Sequence, residues 1–337
     1  MAGETANTEP MKRNAIIYIV SGILTIALLA YVLANLDWSI LKTAFANLRW
    51  GWLIFALTAY LVNIGLRALR FSNLIYTRRI HWLELVPVSS LHNILMYLLP
   101  AKTGDATYIF IAKERLNLPI PEGTATLFAA RFYDFSVVAL ILAMILPFAK
   151  DEMPDWIFNA SLIFCILVLV GALTLLAVLR FTKSVEPMQS KNRKTIFARI
   201  KQAWRKFMEG LREIQAHGAH PRIIWLTAGI WLCLYLNFYS AAQCLSLPIS
   251  FYHVVIISIV MIPLTLLPLQ GFANIGAHEI GWTSALVAFQ YSYETALAIA
   301  AGSHFVLLIS VIISGALAFF GSQAIFILAK GKHETVP

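Results

Sequence analysis

Residues 98–134 read LLPAKTGDATYIFIAKERLNLPIPEGTATLFAARFYD. The stretch opens where an apolar run breaks at Pro100 and carries Lys102, Gly104 and Asp105 through a polar turn. It ends in a second apolar run that holds Arg131 and Asp134. Charges inside membrane-type segments are costly, so each needs a partner or a task. Just upstream, residues 83–99 are apolar but interrupted by Pro87, Ser89, Ser90, His92 and Asn93. That run is too short and too broken for a plain crossing, which takes about 20 apolar residues. Irregular backbone at membrane depth is tolerated only where it is buried in protein or lines a cavity. The pattern therefore predicts a re-entrant hairpin, with a return helix over 107–116, followed by a full span over 123–148.

The composition fits this reading. Of 337 residues, 59% are apolar and 13% charged, and the mean hydropathy is +0.74. Soluble domains average about 45–50% apolar and about 25% charged. The short alternating segments of an outer-membrane barrel are missing. The expected fold class is an all-α polytopic membrane protein with about six transmembrane helices plus two re-entrant hairpins. The net charge of +9 lies mainly in loops beside apolar runs, as the positive-inside rule requires, and does not point to nucleic acid. Cys165, Cys233 and Cys244 fall within apolar segments without CxxC spacing, so they read as packing residues.

In chain order, residues 1–13 read as a disordered tail and 14–330 as a single membrane domain. Lys12-Arg13 precedes an apolar run over 14–36 that is too long for a signal peptide and is followed by no cleavage site, so it is expected to be retained. A loop with Asp37, Lys42 and Arg49 leads to a span over 50–71. Further spans are expected over 156–180, 223–245 and within 295–329. The one long hydrophilic stretch, 182–222, carries Ile196, Ile200, Trp204, Phe207, Leu211 and Ile214 at three- and four-residue steps. Arg199, Lys201, Arg205 and Lys206 stand between them. This is a basic amphipathic helix suited to an anionic lipid surface, or alternatively a solvated linker helix covering loops.

A shift of 168 residues carries Pro100 onto Pro268 and 83–99 onto 251–267, a second short apolar run, broken by Pro263 and Pro268. Gly271, Asn274, Gly276, His278 and Glu279 follow. The halves 14–148 and 156–329 then form two repeats of three crossings each, which inverts the second. The charges agree: Arg70, Arg78, Arg79, Lys113, Arg115, the basic insert and the C-terminal lysines share the inner side. Both termini are thereby expected in the cytoplasm, with the protein in a bacterial inner membrane. Inverted repeats with broken helices mark alternating-access transporters.

Arg131 and Asp134, three apart, share a helix face. They are either a buried structural pair, or Arg131 offers its planar fork to a phosphate. Lys102 and Asp105 flank Gly104 in a turn whose backbone N–H groups suit an anion, although the same composition also makes an ordinary turn. Glu279 is an acid in a nearly uncharged region and a candidate for protonation or substrate contact. His278 and His304 stand as assistants or as plain hydrogen-bonded histidines. No HExxH, GxSxG, Walker A or clustered metal-ligand spacing occurs, so no cofactor, metal or catalytic residue is expected.

The segments LLPAKTGDATYIFIAK, RFYD and LLPLQGFANIGAHE resemble the lysylphosphatidylglycerol synthase transmembrane-region family, over about residues 12–330. The resemblance implies a flippase-like protein that moves lipid between leaflets or supports lipid-linked surface assembly. It points to Pro100, Gly104, Asp105, Arg131, Asp134, Gly271, Gly276 and Glu279. Fused members carry a soluble aminoacyl-transferase domain that is not seen here, so aminoacyl transfer is not expected. The reading is a flippase for a phosphate-bearing, anionic lipid or lipid-linked substrate, with a polar groove formed by the two hairpins. Its lining would be Lys102, Gly104, Asp105, Arg131, Asp134, Asn274, Gly276, His278, Glu279 and His304, with Pro100, Pro263, Pro268 and Gly271 as turns. The alternatives are an intramembrane lipid-modifying enzyme and a small-solute secondary transporter.

Overall fold

A computed structural model describes the backbone of residues 8–100, 103–151, 153–181, 196–266 and 271–334, with side chains over 19–100, 103–151, 153–181, 202–262 and 271–324. Among these residues all regular structure is helical. The helices are α1 (Thr8–Asn35), α2 (Trp38–Ala46), α3 (Trp50–Leu74), α4 (Trp82–Leu98), α5 (Thr103–Leu116) and α6 (Ile120–Ala149). They continue as α7 (Asp155–Phe181), α8 (Ile196–Ala216), α9 (His220–Cys244), α10 (Phe251–Leu266), α11 (Ala277–Ala288) and α12 (Tyr293–Glu334). α3, α6, α7, α9 and α12 are long and apolar enough to cross a membrane. A sixth candidate is α1 with α2, a pair bent by 85°. The protein is thus an all-α polytopic membrane protein, and each expected span has its helix.

Two expectations about the N-terminal region are corrected. The helix starts at Thr8, inside the stretch expected to be a disordered tail, because a proline in the first turn forfeits no helical hydrogen bond. The expected loop after the first span is largely the short helix α2. Asp37 caps it, accepting from Ser39 N at 2.8 Å and Ser39 Oγ at 2.6 Å. Those two bonds hold the exposed carboxyl below the usual carboxylate range. A nine-residue helix leaves too little periodicity to be read from sequence.

The chain forms two compact units interleaved in sequence. The first takes residues up to Ala59, His92–Thr107 and Tyr235–Ser314; the second takes Tyr60–Leu91, Tyr108–Leu234 and residues from Gly315 onward. Each unit therefore draws on both of the halves expected as repeats.

In the first unit, α4 and α5 fold back on each other beyond Pro100. His92 Nδ1 and Thr107 Oγ1 lie 3.2 Å apart across the turn. Gly104 is the point of closest approach, since a Cβ there would overlap the backbone of Leu95 and Met96. The break between α10 and α11 is more elaborate. Phe272 N donates to Thr25 Oγ1 of α1 at 2.8 Å. Ala273 and Asn274 adopt positive φ angles of 53° and 59°, and Gly276 sits at 83°, a region that favours glycine. α3 is tied in by Asn237 of α9, which donates to Ala56 O at 2.9 Å, and by Ser314 of α12, which donates to Leu57 O at 3.1 Å.

In the second unit, α3 and α6 run antiparallel. Glu122 in the first turn of α6 accepts from Thr77 Oγ1 at 2.7 Å, Thr77 N at 3.0 Å and Tyr76 N at 3.1 Å, which locks the loop after α3. The α8 helix docks on this corner through Gly210, which packs against Tyr76 and Ala125, and through buried Met208, Leu211 and Ile214. Burial and the acids Glu122, Glu213 and Glu209 push the Tyr76 hydroxyl up to about 12. The apolar stripe of α8 is therefore divided: one edge packs on protein, while Trp204 remains 61% exposed. Arg205 pairs with Glu209 at 3.3 Å. The Arg199 and Lys201 side chains, like all of Lys102 and Pro268, lie outside the described residues.

Gly104→Ala is expected to destabilise by about 1–3 kcal/mol, the usual cost of overpacking. Gly65→Ala on α3, where a Cβ meets open space, is expected to be neutral or better. Thermal unfolding in detergent compares the two directly.

Candidate functional site

α3 presents Arg67 and Arg70 three residues apart, and α6 presents Arg131 and Asp134 at the same spacing. In the second unit these four side chains converge. Arg70 is 1% exposed and grips Asp134 with both nitrogens of its fork, NH1 to Oδ1 at 2.6 Å and NH2 to Oδ2 at 3.4 Å. Arg131 NH1 adds a bond to Oδ2 at 3.2 Å. From α9, Trp231 Nε1 donates to Oδ1 at 3.2 Å, and Thr227 Oγ1 accepts from Arg70 NH1 at 3.3 Å. Arg67 is held by Asn63 Oδ1 at 2.8 Å and lies within Coulombic reach of Asp134, Arg70 and Arg131. Asn63 in turn donates to Ile230 O at 2.7 Å.

Three guanidinium groups thus surround one carboxylate. Asp134 is saturated with donors, and Arg70 takes its best geometry. Arg131 keeps 29% of its side chain exposed, the most accessible part of the Arg70–Asp134–Arg131 group. The expected Arg131–Asp134 pairing is present, but the principal partner of Asp134 is Arg70. This corrects the placement of Arg70 among inner-loop cations: α3 continues to Leu74, so Arg70 lies a turn inside the helix and faces α6 and α9. The repeated Arg-x-x-Arg and Arg-x-x-Asp spacing was the one available signal. Trp231 and Thr227 left none, because nothing in an apolar run singles them out.

The first unit holds the second cluster. Gly276 N donates to Glu279 Oε2 at 2.6 Å, so the acid caps its own helix in the manner of a capping box. Glu279 Oε1 lies 2.5 Å from His304 Nδ1 on α12. The His304 ring stacks on His278 at 4.2 Å between centroids. Trp282 and Phe238 continue the stack from His278 at 5.2 and 5.7 Å. His278, Glu279 and His304 are 4%, 6% and 1% exposed, and Nε2 of both histidines is buried without a hydrogen-bond partner.

The expected residues therefore sort into two groups. Gly276, His278, Glu279 and His304 come together in the first unit, and Arg131 and Asp134 in the second. Gly104 and Asp105 occupy the first turn of α5, with Pro100 buried at the break before it. Asn274 lies in the turn before α11, where its Oδ1 is buried and unpaired, and Gly271 packs on Thr25. Pro263 falls within α10, a helix. Among the described residues no group of three His, Cys, Asp or Glu side chains is arranged to hold a metal ion.

Arg70→Ala would strand the Asp134 charge in the interior, at a cost of about 3–5 kcal/mol. Replacing both partners, Arg70→Met with Asp134→Leu, is expected to cost much less, and thermal unfolding of the two variants makes the comparison.

A profile described as the lysylphosphatidylglycerol synthase TM region matches residues 18–315 of the chain. Comparison with curated proteins gives no match.

Proposed function

The chain belongs to the lysylphosphatidylglycerol synthase TM-region family, and on that footing we propose that it is a flippase carrying anionic, phosphate-bearing lipid between leaflets. The observation that carries this reading is the charge imbalance within the second unit. Arg67, Arg70 and Arg131 gather around Asp134 on helices α3 and α6, both long and apolar enough to cross a membrane. Three guanidinium groups near one carboxylate favour a further counter-charge at the cluster. A phosphodiester supplies it, and the planar guanidinium fork matches phosphate oxygens. A lipid headgroup reaches such a site while its acyl chains remain in the bilayer.

The inverted-repeat expectation gains support from a reciprocal contact between α3 and α9. Asn63 holds the carbonyl of Ile230, and Asn237 holds that of Ala56. Asn237 stands 174 positions after Asn63, and Ile230 stands 174 after Ala56, so each helix gives the other the same bond. Matching bonds at one sequence spacing are what a repeated sequence pattern produces. The shift differs by six from the one relating Pro100 and Pro268, so helix and hairpin registers are offset. With the broken α4–α5 and α10–α11 segments, this favours a transporter built on broken helices. The loop charges favour cytoplasmic termini in a bacterial inner membrane.

In liposomes of phosphatidylcholine and phosphatidylglycerol, the purified protein is expected to move fluorescent phosphatidylglycerol across the bilayer. Arg131→Ala, which removes a charge-assisted contact of about 1.5–3 kcal/mol, is expected to slow this by about tenfold or more. Equal rates for wild type and variant would refute the assignment.

A further inference from the structure

We infer that Glu279, His304 and His278 form a proton-binding site that couples lipid movement to a proton gradient. The coupling rests on the flippase reading; the proton site itself does not.

His304 lies eleven residues into α12, about 16 Å along the helix at 1.5 Å per residue. Glu279 is anchored from the other side by the Gly276 amide, so its carboxylate cannot swing away from His304. An ionised carboxylate only accepts, so the hydrogen on this contact belongs to His304 Nδ1. Nε2 is then the position at which the ring gains or loses a proton. It is buried and has no hydrogen-bond partner, as is Nε2 of His278.

The second imidazole limits the stoichiometry. With centroids 4.2 Å apart and planes 25° apart, two imidazolium charges would repel strongly. The trio therefore takes one proton at a time, passing between net charge −1 and zero. Among the described residues, aromatic rings line the trio. α4 brings the Tyr97 ring to 6.2 Å from His304, and α9 and α11 bring Phe238 and Trp282. α1 packs Thr25 and Leu28 on the turn. A bare negative charge buried among apolar helices is costly, which favours uptake of a proton by the trio. A proton passes from hydronium on one side to an imidazole nitrogen, the O–H bond breaking as the N–H bond forms, and the reverse transfer to water on the other side releases it.

Two readouts test this on the full-length protein. In phosphatidylcholine–phosphatidylglycerol nanodiscs, nitrogen NMR of labelled histidines should show one titrating signal that disappears in His304→Gln. Its midpoint should shift in Glu279→Gln, in a variant shown to be folded by its other histidine signals. A His304 signal that stays neutral wherever the protein is folded overturns the site. In vesicles bearing fluorescent phosphatidylglycerol, a gradient of one pH unit should sustain up to about tenfold label asymmetry at one proton per lipid. Glu279→Gln should abolish the asymmetry, and Glu279→Asp should restore part of it. Wild type that merely equalises the label under the gradient refutes coupling. If no label moves with or without a gradient, the flippase reading and the coupling fall together, and the NMR titration alone decides whether the proton site stands.

Discussion

The contact on which the second unit depends is the fork of Arg70 on Asp134. It joins α3 to α6 and, through Trp231 and Thr227, brings in α9. In hydrocarbon-facing helices such a pair holds its elements in one register, because sliding either by a turn would leave a naked charge. Stability alone does not require it, since apolar side chains of similar volume commonly serve as well or better. What apolar residues cannot provide is a second guanidinium fixed beside the same carboxylate. Arg131 is in that position, bonded to Asp134 Oδ2 at 3.2 Å next to the Arg70 fork.

The first unit solves a different problem with similar economy. A break between two short helices in a membrane leaves amide and carbonyl groups exposed, and each must be met. Among the described residues of the α10–α11 turn, the Phe272 amide is met by Thr25 of α1 and the Gly276 amide by the side chain of Glu279. The acid that caps the turn is also the acid that holds His304. A structural need thus fixes the carboxylate, and its second oxygen is left for proton chemistry.

Much of this was legible in the sequence. Pro100, Gly104, Gly271 and Gly276 located both breaks, because only a few residue types tolerate a tight return or a positive φ. The lone Glu279 and the paired Arg131 and Asp134 stood out because charge in an apolar run is rare. What could not be read were partners brought in by packing. Arg70 looked like a loop cation because it sits near the end of an apolar run, and nothing in the apolar run singled out Trp231. Nor did the sequence show that Glu122 clamps the loop at Tyr76 and Thr77. The apolar stripe of α8 gave the right helix, but periodicity cannot say that one edge faces protein and leaves Trp204 outward.

The central claim is that the arginine cluster is completed by a lipid phosphate. A structure of the protein in nanodiscs containing phosphatidylglycerol tests it most directly. The account predicts a phosphate group within hydrogen-bond distance of the Arg131 guanidinium, with Asp134 still held by Arg70. A cluster occupied by water alone, with every lipid phosphate outside it, would contradict the account.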